Sequence, residues 1–202
     1  MGVLVFTLAF LPQVAGRTQF LMQAESPGPV YTKLAPKTSQ SSKLLYTIYL
    51  LFTFSEIILL KIAGLSLYDS TVTTMATVCT GGLCVYNASI AAFHSNAVEI
   101  IIIVFMLLNS INFSVFFLMV TGHLRRAIKS DELRFFLGIV TFCIVAIFFN
   151  IRPMYETGGE AALDSVFQVL SIISTTGFST TDYNQWPSFA KTLLVMIMFV
   201  GG

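Results

Sequence analysis

Residues 164–189 read DSVFQVLSIISTTGFSTTDYNQWPSF. The first part predicts a short helix, with Asp164 placed as its N-cap, where a carboxylate accepts from the free N–H groups of the first turn. That helix lasts about 10–12 residues, too few to cross a bilayer, which takes about 20. It runs directly into a polar loop, Ser174-Thr175-Thr176-Gly177.

The same design occurs 95 residues earlier. The stretch 65–87, LSLYDSTVTTMATVCTGGLCVYN, resembles 161–183, AALDSVFQVLSIISTTGFSTTDY, when one is slid by 95 residues along the other. Asp69 then matches Asp164, Ser70 matches Ser165, Thr80 matches Thr175 and Gly82 matches Gly177. Leu83 pairs with Phe178, and Cys84 with Ser179. Asp69 is accordingly expected to cap the first short helix as Asp164 caps the second. The offset also superposes the flanking apolar runs, so order and motif recur together, as in a true internal repeat.

Those apolar runs set the class of the protein. The chain is 55% hydrophobic and 10% charged over 202 residues. A soluble domain carries about 25% charged residues, and a disordered chain is poor in apolar ones, so both classes are excluded. Three spans are expected at residues 44–63, 97–120 and 135–150, the last somewhat short. Residues 1–15 read as the end of a truncated helix rather than a signal peptide, because no basic n-region precedes them. Residues 190–202 read as a helix that stops within its span. The chain therefore reads as a piece of a longer protein. It has a cytoplasmic linker at 16–43 broken by Pro27, Pro29 and Pro36, a complete span–loop–span unit at 44–120, a basic cytoplasmic loop at 121–134, and a second unit at 135–202 cut in its last helix.

Charge sets the orientation. Eight of the eleven basic residues lie in two segments, with Arg17, Lys33, Lys37 and Lys43 in one and Arg125, Arg126, Lys129 and Arg134 in the other. Residues 64–96 contain no Lys or Arg. The positive-inside rule puts the two basic segments in the cytoplasm and the two loop segments outside.

A short helix followed by a glycine loop between two spans reads as a re-entrant pore loop. Non-helical backbone at membrane depth is tolerated only where protein buries it or where it lines a watery path. An alkali cation that sheds its water needs oxygens in exchange, and backbone carbonyls supply them without holding the ion too tightly. Glycine reaches backbone angles closed to other residues, and the C-terminal end of the short helix offers partial negative charge. The candidate filter residues are Thr80, Gly81, Gly82 and Leu83 in the first loop, with Thr175, Thr176, Gly177 and Phe178 in the second. The alternative is a pair of unrelated Ser/Thr/Gly turns lying outside the membrane. The fold expected is all-α and integral to the membrane, built of helix–pore-loop–helix repeats in the manner of potassium channels.

The segment 164–189, with its T-T-G-F-S-T run followed by W-P, resembles the third pore loop of the Trk/Ktr/HKT superfamily of potassium transporters, and is most similar to the bacterial TrkH type. The segment 69–99 resembles the second pore loop of that family, and Ile111-Asn112-Phe113 fits the helix that follows it. Leu83, Cys84 and Val85 depart from the family's T-G-G-F-S-T pattern. The opening MGVLV resembles the end of a glycine motif on the last helix of the first repeat, and the closing FVGG resembles the start of a glycine-rich break in the last helix of the third. The resemblance implies the middle of a four-repeat potassium uptake protein in the bacterial inner (plasma) membrane, multi-pass, with Gly82 and Gly177 as filter glycines. Gly201 and Gly202 would be the remnant of a gate. It further implies potassium as transported substrate with no covalent cofactor, a homodimer of the full-length protein, and a cytosolic nucleotide-binding regulatory subunit. Two alternatives stand beside it: a non-conducting truncated fragment, and a family member permeable to both sodium and potassium.

Glu56 lies inside the first span, where an ionisable group is costly and marks either a functional site or a hydrogen bond to a neighbouring helix. Lys61 can snorkel to the outer surface, Glu99 belongs to the outer rim, and Asn109 with Asn112 suits interhelical hydrogen bonding. Asn87-Ala-Ser is a formal glycosylation sequon. Cys79, Cys84 and Cys143 have no metal-type spacing and read as small apolar fillers. His94 and His123 have no evident co-ligand. The sequence contains no H-E-x-x-H or G-x-S-x-G, which argues against a membrane enzyme. A net charge of +1 implies no nucleic-acid partner. A reporter fused after Thr121 is expected in the cytoplasm, so alkaline phosphatase there should be inactive and a fluorescent protein bright. Active phosphatase at that point would overturn the topology.

Overall fold

The computed structural model describes residues 38–111, 115, 116, 119 and 130–200. Among these residues all regular structure is helical. In chain order the helices are α1 (Thr38–Ile62), α2 (Leu67–Val78), α3 (Asn96–Ser110), α4 (Asp131–Ile151), α5 (Gly158–Ile173) and α6 (Ser188–Met198). Single 3-10 turns occupy Ser89–Phe93, Arg152–Met154 and Tyr183–Gln185.

The span boundaries move for local reasons. α1 covers 44–62 of the expected 44–63 stretch and starts six residues earlier, at Thr38. α4 covers the expected 135–150 span and starts at Asp131, whose carboxylate suits the positive end of a helix. Pro153, which has no N–H to donate, falls where α4 tightens into a 3-10 turn. Among the described residues one helix, Leu133–Met154, is long and apolar enough to cross a membrane by length and composition. The expected continuous span 97–120 is not seen as such. α3 has 15 residues and ends at Ser110, and Ile111 is extended at φ −77°, ψ 134°. The Ser110 hydroxyl donates back to the Met106 carbonyl at 2.6 Å, and such back-bonding weakens a helical ladder. Val115, Phe116 and Met119 are again helical.

Two compact units divide the chain. One includes the described residues of 1–52 and 112–130; within it Tyr46 stacks on Tyr49, and Phe52 meets Phe116 edge to face at 5.3 Å. The other is Thr53–Ile111 with Asp131–Gly202, and it carries both glycine loops. At its centre α5 packs against α3, α4 and α6. Phe167 of α5 is fully buried, in one apolar cluster with Ile102 and Met106 of α3, Ile147 of α4 and Leu194 of α6. Large apolar side chains are exposed on the outer surfaces, such as Phe135, Phe142 and Phe149 at seven-residue intervals along α4. An apolar rim of this kind suits lipid or further protein, since in water it would be a liability.

The expected capping roles of Asp69 and Asp164 are not observed. α2 is capped by Ser66, whose hydroxyl accepts from the Asp69 N–H at 3.0 Å and donates to its carboxylate at 2.6 Å. Asp69 is thus the third residue of the helix, where an acidic group completes a capping box. α5 is capped by Thr157, which accepts from the Glu160 N–H, so Asp164 sits two turns inside a 16-residue helix. α2, at 12 residues, matches the expected length. Both are still too short to span. Ser66→Ala should cost α2 about 1 kcal/mol. Hydrogen exchange at the amides of Leu67 to Ser70 should quicken accordingly, whereas unchanged exchange would show that the cap carries nothing.

Candidate functional site: two glycine loops at the ends of short helices

Both short helices end the same way. The residue after the last helical one, Cys79 or Ser174, is followed by a threonine in the left-handed region, Thr80 at φ 51° and Thr175 at φ 57°. Two residues further on each chain has a left-handed glycine, Gly82 at φ 64° and Gly177 at φ 83°. Gly81 and Thr176, between them, do not share this handedness. The Thr80 N–H donates to the Thr77 carbonyl at 3.1 Å, and Thr175 donates to Ile172 at 3.0 Å. These bonds and angles recur at the same offset of 95 residues as the sequence motif. In α2 the Gly81 N–H also returns to the Ala76 carbonyl at 2.8 Å, which completes a Schellman-type ending. Glycine usually holds the left-handed position of that ending, so a β-branched threonine there is strained.

The two loops meet. A Cβ built on Gly82 would collide with the Thr176 carbonyl oxygen, so the chains pass there without room for a side chain. Beyond the glycines, the Ile90 N–H donates to the Ser179 carbonyl at 3.2 Å, and the Ser179 N–H donates to the Ser89 hydroxyl at 3.2 Å. These cross-links bring Thr80–Leu83 and Thr175–Phe178 into one neighbourhood. Ser89 and Ile90 were not singled out in the sequence, and nothing local there marks them, because their partner is 90 residues away.

The loops differ behind the glycines. Phe178 is fully buried, and its carbonyl accepts from the Ser171 hydroxyl of α5 at 2.5 Å. Ser174 adds a second brace, 2.8 Å from the Thr176 hydroxyl. In the other loop Leu83 is 78% exposed, and Ala76 occupies the place of Ser171. The departure seen at Leu83-Cys84-Val85 thus accompanies the loss of a hydroxyl brace.

Asp69 and Asp164 remain a matched pair in a different role. Each ties the segment beyond the glycine to the short helix. Thr180 donates to Asp164 at 2.7 Å, and Tyr86 to Asp69 at 3.3 Å. Tyr155 also donates to Asp164 at 2.7 Å. Burial and this carboxylate push the Tyr155 phenol up to about 12. The Asp69 charge likewise raises the Tyr86 phenol. Asp182, which caps the turn at Tyr183–Gln185, is held below the usual carboxylate range by bonds from Gln185 and Asn184. Trp186 is buried and Pro187 caps α6, so the W-P pair anchors the return to the helix. Gly201 and Gly202 lie outside the described residues.

Against known proteins, residues 1–202 match the family described as TrkH, Cation transport protein. The chain belongs to the TrkH family. It is a family of transporters, not of enzymes. The TrkH-family chain is 31% identical over 208 residues to the Trk system potassium uptake protein TrkH of Escherichia coli K12, covering all of this chain and 43% of that protein. It is 31% identical to the Trk system potassium uptake protein TrkG of the same organism, covering 42% of it. The crystal structure of the potassium transporter TrkH from Vibrio parahaemolyticus is similar, with a TM-score of 0.79 and 28% identity over the whole of this chain and 41% of that one. The chain therefore spans less than half the length of these relatives.

The glycines of the TrkH-family chain should differ in tolerance. At Gly177 a Cβ meets nothing within 4 Å, so Gly177→Ala costs only the left-handed backbone, about 1–2 kcal/mol. At Gly82 the same change adds a backbone collision. Melting curves in detergent should place Gly82→Ala well below Gly177→Ala, and equal melting temperatures would contradict the close approach of the loops.

Proposed function

We propose that the protein containing this chain moves potassium inward across the bacterial inner membrane, with Thr80–Leu83 and Thr175–Phe178 contributing two walls of a carbonyl-lined filter. The observation that carries this reading is the repeated alternation of backbone handedness at Thr80/Gly82 and Thr175/Gly177. Alternating handedness lets successive carbonyls turn toward one side, where they can replace the water of a bare cation. The short helices add their negative ends behind the loops. Potassium is the substrate in this reading. The membrane potential drives entry, at about 2.3 kcal/mol per charge for each 100 mV.

The names of the relatives, Trk system potassium uptake proteins, support potassium as the cargo. A homodimer of the complete protein, a cytosolic nucleotide-binding regulatory subunit and a gate at Gly201-Gly202 belong to the same proposal through the family resemblance. A second reading, a pore that passes sodium as well as potassium, is favoured by the less braced loop at Leu83. The test is Gly177→Ser in the complete reading frame that contains this chain, expressed in a potassium-uptake-deficient strain. Discrimination of rubidium from sodium should fall about tenfold, equivalent to about 1.4 kcal/mol. An unchanged uptake ratio would sink the filter assignment.

A further inference from the structure

Glu56 of α1 is completely buried. Among the described residues it is the sole ionisable side chain in the buried polar set. Neither carboxyl oxygen has a hydrogen-bond partner there. Lys61, five residues along, donates instead to the Leu65 carbonyl. The Glu56 carboxyl lies beside the Thr77 hydroxyl of α2. That hydroxyl donates its one proton to the Thr73 carbonyl at 2.8 Å, so it can give to Glu56 only by breaking that bond. Its oxygen still has a lone pair free to accept.

This arrangement distinguishes the two forms of the side chain. An ionised carboxylate only accepts, and Thr77 can serve it only by giving up its bond to Thr73; a buried charge with no other donor is very costly. A carboxylic acid carries one O–H, and Thr77 can receive it. The chain then runs Glu56 O–H to Thr77 O–H to the Thr73 carbonyl, with every proton placed. Thr77 also accepts the Thr80 N–H at its own carbonyl, so it stands between Glu56 and the first residue of the loop. The 95-residue offset puts Ile151 and Ile172 at the corresponding places in the other repeat. An apolar pair suffices there, so the polar pair is a feature of this repeat and not a demand of the fold.

We propose that Glu56 is a positioning residue that acts as a neutral carboxylic acid, donating its proton to Thr77 and so holding the end of α2 from which Thr80–Leu83 emerge. The proposal rests on the reading of those residues as a filter wall. Its test uses the complete reading frame in a potassium-uptake-deficient strain, with rubidium and sodium uptake measured per folded protein in the membrane. Glu56→Gln keeps a donor of the same size and should stay within about twofold of the parent. Glu56→Leu keeps the bulk without the donor, and Thr77→Val removes the acceptor; each should reduce rubidium-over-sodium discrimination about tenfold, and the double variant should be no worse than either. If Glu56→Gln fails as Glu56→Leu does, the negative charge is what matters and the proposal is wrong. If Glu56→Leu does not reach the membrane, Thr77→Val decides, and a parent-like Thr77→Val overturns the proposal. Gly177→Ser, measured alongside, separates the two readings. A shift there with none in Glu56→Leu or Thr77→Val rejects the role of Glu56 alone, while no shift in any of the three rejects the filter as well.

Discussion

A threonine in left-handed backbone at the end of each short helix is the constraint on which the loop architecture depends. The conformation costs about 1–2 kcal/mol at a residue with a Cβ, and threonine is branched there as well. It persists because the helix end has orphan carbonyls that must be met, and the turn lets the next N–H groups fold back onto them. In α2 those donors are Thr80 and Gly81, and in α5 they are Thr175 and Gly177. The same turn directs the chain away from the helix axis and across to the other loop. Without it the helix would run on, and no carbonyl would be released from the helical ladder.

The surroundings hold the loops from several sides. Ser171 bonds the Phe178 carbonyl, Asp164 bonds Thr180, and Ser89 bonds the Ser179 N–H. Ser171 and Phe178 are buried, where an unpaired group is expensive, while Asp164, Thr180, Ser89 and Ser179 are half-buried. Around them the packing is apolar, with Phe167 fixed among α3, α4 and α6. The polar network supplies orientation, and burial shields the Ser171–Phe178 bond from water. The Thr80–Leu83 loop has fewer such braces: Ala76 has no hydroxyl to offer, and Leu83 is exposed. Thr77, beside Glu56 of α1, lies on the helix of this less braced loop.

Much of the fold was legible in residue order. The apolar lengths placed α1 and α4, and the shared D-S…T-x-G pattern matched the two loops. The left-handed glycines at 82 and 177 were legible too, because glycine at a polar helix end has few other uses. Helix starts were less so. Asp69 and Asp164 look like caps in isolation, yet Ser66 and Thr157 do the capping, because an acidic residue is as favourable at the third helical position as at the cap. The end of α3 at Ser110 was hidden by the apolar run around it, since hydropathy does not register where a helix stops.

What the sequence alone determined is therefore the membrane class, the repeat, and the identity of the loop residues. Each follows from composition or from spacing within a few turns of chain. What only the tertiary structure decided is the meeting of the two loops, the bracing by Ser171 and Ser89, the anchoring by Asp69 and Asp164, and the isolation of Glu56 beside Thr77. These depend on which side chains arrive together from segments up to 90 residues apart. One-dimensional order carries no distance between such segments; it emerges only when the helices pack and enclose the groups between them.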